Sequence, residues 1–265
     1  RGLGDVYKRQ VDAVIHLGGS TYNSESIVNP RKYYDNNVIA SRNLVNSMLD
    51  NDVKNILYVS TASIYPKTVQ GRVSEKRTPV PKTPYAKTKF ITEQLINDYK
   101  VYGLKSTILR LFNVAGAHGF NDLDIGKNVI TVLLNLIKDN RLFTLMGNDY
   151  PTPDGTCVKD FIHVDDVTEA IGKSAAKLLE PDTASQTYNL GTGKGTSLGE
   201  LIRKSIDITG KELKLRIGAA LEDEVPSLIA NNTKIKKDLG WAPQKNIDEI
   251  ITSCWKWILQ NGGKR

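Results

Sequence analysis

Short apolar runs alternate with amphipathic stretches through the first 114 residues, and no other feature constrains the fold as much. Residues 11–17 read as a buried strand, 31–50 as a helix and 55–61 as a second strand; a further helix starts at Pro84, and 106–114 is again a strand. Strands separated by helices in this order become parallel neighbours joined by crossover helices. The fold class is therefore α/β, with a doubly wound parallel sheet.

Beyond Asn113 the rhythm changes. A loop rich in Gly, Asp and Asn covers 115–126, a helix covers 127–139, and 147–155 is rich in turn residues. Residues 186–190 form a strand, and Gly191-Thr-Gly-Lys-Gly195 leads into Ser197-Leu-Gly-Glu200, a capping box that opens the next helix. The glycine cluster lacks both the Walker A spacing and the third glycine of the dinucleotide fingerprint, so it reads as a tight strand-to-helix turn. A last helix, 246–260, carries Ile247, Ile250, Ile251, Cys254, Trp255 and Ile258 on one side.

Composition excludes several classes. No apolar run approaches the length of a membrane span, so no membrane association is expected and a cytosolic placement is. Cys157 and Cys254 cannot build a disulfide framework, and His16, His118 and His163 lie too far apart for zinc spacing, so no metal is expected. The net charge of +7 is spread along the chain without a run of five cations. That argues against a nucleic-acid partner and fits a small anionic substrate. His16, His163, both cysteines, Trp241 and Trp255 read as structural.

Tyr85 and Lys89 carry the chemistry. They lie four apart at the start of a helix that Thr83 can cap and Pro84 can open, so both leave one helical face. Lowering a tyrosine from ~10 to ~7 takes roughly 4 kcal/mol, the order a cation about 4 Å away supplies at an effective dielectric of ~20. Lysine is expected to poise the phenol as a base. With 11 tyrosines in a lysine-rich chain this spacing also arises by chance. Its weight comes from Ser60-Thr-Ala-Ser-Ile-Tyr65 at a strand end, where a βα loop meets ligands and Thr61 offers a hydroxyl.

With these residues the chain resembles the extended short-chain dehydrogenase/reductase family, in its NAD-dependent epimerase/dehydratase branch. Thr61, Tyr85 and Lys89 match its triad. Val14-Ile-His-Leu17, Tyr34-Asp-Asn-Asn37, Leu111-Phe-Asn-Val-Ala-Gly-Ala117, Lys159-Asp-Phe-Ile-His-Val164 and Leu239-Gly-Trp-Ala-Pro243 extend the match along the chain. Asp149-Tyr-Pro-Thr-Pro-Asp-Gly-Thr156 is similar to members that invert carbon 4 of a nucleotide-activated hexose. Dehydratases of the family place an Asp-Glu pair after the threonine, where this chain has Ala62 and Ser63.

The resemblance implies a Rossmann-like sheet lacking its first strands, with a smaller C-terminal α/β substrate domain. It implies NAD as cofactor, held by Leu17, Gly18, Gly19, Asn37, Tyr85, Lys89 and Phe112, with Asn37 helping to position the lysine helix. It implies a UDP-hexose substrate met by Thr61, Asn113, Asn128 and Lys159, with interconversion of UDP-glucose and UDP-galactose as the reaction. The alternatives are another nucleotide-sugar epimerase or reductase, or a non-catalytic dinucleotide-sensing or scaffold protein. A homodimer of the full-length chain is implied through helices around 31–50 and 84–101.

The implied organisation is a non-native leader at 1–10, a partial NAD-binding domain at 11–114, and a mainly sugar-nucleotide-binding domain at 115–265, from which about 160–190 returns to the first sheet. The family's opening strand and glycine-rich loop, roughly 60 residues, are expected to be lost ahead of Val11. Three cationic positions depart from the pattern: Lys159 replaces an arginine, Leu221-Glu-Asp-Glu224 replaces an Arg-x-Gly-Asp segment, and Thr21 stands near an expected lysine.

Overall fold

A computed structural model of the chain describes residues 11–66, 71–119, 128–221 and 224–261. The expected leader at 1–10, part of the 115–126 loop and the middle of the 221–224 segment lie outside the described residues. Two compact units emerge. The first holds Arg1–Pro66, Glu75–Leu111 and Ile171–Asn189; the second holds Lys67–Ser74, Phe112–Ala170 and Leu190–Arg265.

The first unit is built on a four-stranded sheet of β1 (Val14–His16), β2 (Asn55–Thr61), β4 (Lys105–Leu111) and β9 (Gln186–Leu190), in that order. β1 runs parallel to β2, and β2 parallel to β4 in a seven-residue register from Asn55 opposite Lys105 to Thr61 opposite Leu111. Helices α1 (Asn23–Val28), α2 (Pro30–Tyr33), α3 (Ala40–Asp50) and α4 (Pro84–Asp98) belong to this unit. Val45, Met48, Ile56, Tyr58, Ile96, Leu104 and Ile108 form its main apolar core.

The reading of 11–17 as a buried strand is corrected. Only Val14–His16 is strand, and Val11, Ile15 and Leu17 are 55%, 44% and 59% exposed. β1 is an edge of the described sheet, so its apolar side chains are only partly covered. The helix expected over 31–50 is also altered. Between α2 and α3, residues Tyr34–Ile39 form a π turn. The carbonyl of Asn37 accepts from the hydroxyls of Ser41 (2.6 Å) and Thr92 (2.8 Å). Side-chain donors thus serve a carbonyl within the widened turn.

The start of α4 follows the sequence signals: Pro84 is at its first turn and Thr83 Oγ1 accepts from the Ala86 amide at 3.2 Å. The strand expected at 106–114 is divided. β4 ends at Leu111 and β5 (Asn113–Ala115) pairs in parallel with β8 (Phe161–His163), because Phe112 N bonds Leu190 O while Asn113 N bonds Asp160 O.

The second unit contains β3 (Arg72–Val73), β6 (Leu142–Met146), β7 (Val158–Lys159), β10 (Thr196–Ser197), β11 (Lys214–Gly218) and β12 (Ser227–Ala230) besides β5 and β8. One described sheet has the order β10-β7-β12-β3, and β6 pairs with β11. Its helices are α5 (Val129–Lys138), α7 (Leu198–Thr209), α8 (Thr233–Leu239) and α9 (Ile247–Asn261); α6 (Val164–Leu179) is shared by the two units. α5, α7 and α9 close a core around Ile130, Leu133, Leu134, Leu201, Ile250, Ile251, Cys254 and Ile258. The apolar stripe expected on the last helix is thereby buried.

Candidate active site

Thr61 ends β2, and its Oγ1 caps the short turn Ala62–Ile64 by accepting from Ser63 N at 3.2 Å. Tyr85 and Lys89 are buried on successive turns of α4. Thr61 lies close enough to the Tyr85 phenol to act on its ionisation. The Lys89 ammonium lies 4.6 Å from the centre of the Tyr58 ring. Tyr33 meets the Tyr85 ring edge-on, with centroids 6.3 Å apart. The first unit thus gathers Thr61, Tyr85 and Lys89.

The electrostatics differ from the expectation of a lysine-lowered phenol. Burial pushes Tyr85 above the ordinary tyrosine value, while the nearby Thr61 hydroxyl pulls the other way. Burial also lowers Lys89 to about 8, with Glu93 opposing. Removing a phenolate from water outweighs the help of nearby groups. Among the described residues Lys89 Nζ has no hydrogen-bond partner; its neighbour is the Tyr58 π face. A buried ammonium with free donors is suited to the hydroxyls of a ribose, so the site fits a nicotinamide dinucleotide.

Asn37 uses both of its side-chain polar atoms within the protein. Oδ1 accepts from Ser20 N at 2.7 Å, and Nδ2 donates to Ser20 O at 3.0 Å and to Thr88 Oγ1 at 3.1 Å. It therefore ties the 17–20 turn to α4, one residue before Lys89. Gly19 has φ +142°, and a Cβ there would stand 2.8 Å from Asn37 Oδ1, so this close approach needs glycine. Leu17, at the start of the turn, is exposed. His16 Nε2 lies 2.7 Å from Ser41 Oγ, and burial, aided by Lys89, lowers it to about 4. The structural reading of His16 fits this neutral, bonded ring.

Phe112, Asn113, Asn128 and Lys159 lie in the second unit. Phe112 is buried. Asn113 Nδ2 donates to Asp160 O at 3.3 Å. Asn128 caps α5, accepting from Ile130 N at 2.9 Å and donating to Val114 O at 2.6 Å. Lys159 pairs with Glu224. Leu221 and Thr21, two of the positions where a cation was expected, are exposed.

The glycine turn has its amides directed at a protein group. Asp160, fully buried, accepts from Thr192 N (2.8 Å), Thr192 Oγ1 (2.6 Å), Gly193 N (2.9 Å) and Ala230 N (3.0 Å). Sequence reasoning missed this role, and it missed Ser60, Glu93 and Arg110 in the first unit. Arg110 inside an apolar strand and Glu93 four residues after Lys89 were the available signals. His163 is buried against Ser253, and burial raises both cysteine thiols, Cys254 to about 11.

Comparison with known proteins bears on the whole chain. Residues 3–191 match the model of the NAD dependent epimerase/dehydratase family. The UDP-glucose 4-epimerase of Halalkalibacterium halodurans is 34% identical over 254 residues, covering 93% of this chain and 76% of that protein. The UDP-glucose 4-epimerase of Stenotrophomonas maltophila, solved with NAD and formylated UDP-arabinopyranose, superposes with a TM-score of 0.92 at 30% identity, covering 99% of this chain and 80% of that one. The Brucella ovis enzyme in complex with NAD gives a TM-score of 0.89 at 31% identity, covering 96% and 80%. By the extent of these matches, the chain belongs to the NAD dependent epimerase/dehydratase family.

Proposed function

We propose that the protein is an isomerase that inverts carbon 4 of a UDP-hexose with NAD as cofactor, interconverting UDP-glucose and UDP-galactose. The observation that carries this reading is the gathering of Thr61, Tyr85 and the unpartnered Lys89 ammonium at the end of β2, in a chain 34% identical to a UDP-glucose 4-epimerase. When bound, NAD supplies the acceptor and donor for the hydrogen at carbon 4. Tyr85 takes the proton of the 4-hydroxyl and returns it, and Thr61 hydrogen-bonds the same oxygen. Lys89 holds the nicotinamide ribose, and Asn37 holds the lysine helix and the Gly18-Gly19 turn in place. Leu17, Gly18, Gly19 and Phe112 complete the proposed cofactor contacts.

The second unit is proposed to supply substrate recognition through Asn113, Asn128 and Lys159. The protein is proposed to be a homodimer. A specific observation favours a second reading of the substrate: Lys159 is already paired with Glu224, so its charge is partly neutralised before any diphosphate arrives. Another nucleotide sugar of the same reaction class is that alternative. The test is to incubate the protein with UDP-galactose and catalytic NAD and to follow UDP-glucose. Interconversion without net NADH is expected, and stoichiometric NADH would replace epimerisation with oxidation. A panel of nucleotide sugars ranks the two substrate readings.

A further inference from the structure

Lys89 is buried, and one turn along the same helix stands Glu93, 2% exposed. Its Oε1 accepts from Ser60 Oγ at 2.5 Å, the residue directly before Thr61. Arg110, near the end of β4, grips the same carboxylate, with Nη2 2.6 Å from Oε2 and Nε 3.1 and 3.2 Å from the two oxygens. Arg110 is fixed in turn: Nη1 donates to Tyr65 OH at 2.9 Å, and that hydroxyl donates to Asn189 Oδ1 at 2.6 Å. These residues all belong to the first unit.

A buried ion pair contributes little net stability, because removing both charges from water offsets their attraction. Here the pair ties the helix that carries Tyr85 and Lys89 to β4, and the Ser60 bond ties the same carboxylate to β2, the strand that ends in Thr61. We propose that Glu93 is a positioning residue for the reaction: its carboxylate fixes Thr61 through Ser60 and supplies the negative charge that keeps the Lys89 ammonium protonated.

The other groups around the lysine do not supply that charge. His16 of β1 lies close enough to interact with the ammonium and is itself neutral at ordinary pH. Tyr58 of β2 offers a π face. Tyr85 of α4 is a neutral phenol, and Tyr33 of α2 packs on Tyr85. Arg110 of β4 is a cation and acts in the opposite sense. Glu75 meets the network through its carbonyl at Arg110 and through its side chain at Asn189 N, remote in sequence from the helix. Glu93 opposes the effect of burial on Lys89.

The inference rests on the proposed epimerisation for its meaning but is tested apart from it. With lysine labelled at Cε, an NMR titration of the Lys89 resonance, assigned by its loss in Lys89→Met, reads protonation without turnover. The wild-type midpoint should lie near 8. In Glu93→Gln it should fall by about one pH unit, and in Glu93→Asp, which keeps the charge, by less than about half a unit. An unmoved midpoint in Glu93→Gln overturns the inference, whatever that variant loses in melting temperature. Where Glu93→Gln does not fold, Ser60→Ala takes its place: turnover should fall about tenfold with KM unchanged, and undiminished turnover overturns the inference. A shifted midpoint in a protein that epimerises no nucleotide sugar leaves the electrostatic role standing and overturns the proposed reaction instead.

Discussion

Asp160 in the second unit and Glu93 in the first are both carboxylates cut off from water, yet their partners differ in kind. Asp160 is met by three backbone amides and one hydroxyl, all neutral and all set by the path of the chain through 192–193 and 230. Burial raises its carboxyl while these donors oppose the shift. Glu93 is met by a guanidinium and a serine and faces a lysine one turn away. Neutral partners make a carboxylate into a clasp for the fold. Charged partners make it part of a circuit in which moving one proton alters its neighbours, and that kind belongs beside chemistry.

The largest effect should separate chemistry from cofactor binding in the first unit. Tyr85→Phe is expected to lower turnover by about 10³-fold while NAD binding, followed by fluorescence, stays near wild type. An unchanged rate would remove the phenol from the mechanism. The next effect probes the clasp. Asp160→Ala strands its donors and is expected to cost about 3 kcal/mol in denaturant unfolding. A cost below about 1 kcal/mol would show that the glycine turn holds itself without the carboxylate.

Lys89→Met should act with the opposite sign. The folded state holds this lysine near 8 against 10.5 for a free one, so at pH 7 the buried ammonium lowers stability by about 3 kcal/mol. That cost is fully present below the folded value. It shrinks as pH rises through 8 and disappears above 10.5. The variant should therefore melt higher than wild type at pH 7, with the two curves meeting in alkaline solution, while turnover is lost. A variant that melts lower would mean that the cation–π contact with Tyr58 outweighs desolvation. The smallest effect is Gly19→Ala, expected to cost about 1 to 2 kcal/mol and to weaken NAD binding by displacing Asn37. Unaltered NAD affinity would detach the turn from the cofactor.

The parts of the molecule legible in the sequence are those governed by neighbours. β2 has its expected bounds, α4 begins where Thr83 and Pro84 announce it, and Ile250, Ile251, Cys254 and Ile258 are buried as their spacing on the last helix requires. The placing of Tyr85 and Lys89 together was legible because residues four apart on a helix share one face. What escaped depends on distant partners. Whether residues 11–17 would be covered depended on what packs beside them, and their apolar character could not tell that. The break at Phe112 follows from an amide bonded to Leu190. The circuit through Glu93 joins residues 17 to 124 positions apart, and a raised Tyr85 phenol reflects the extent of burial rather than the identity of the residue four places on.

The π turn at Tyr34–Ile39 acts as a phase shifter. One residue more than an α-helical turn rotates everything before it by about 100° relative to everything after it. Tyr33, ahead of the turn, is thereby directed at Tyr85, while Val45 and Met48, behind it, face the apolar core. A straight helix over the same residues would bring only one of these sets into register. Deleting a single residue within 34–39 should therefore preserve helix content by circular dichroism yet put the two halves out of step, and the half that gives way will be the one whose partners hold it less firmly.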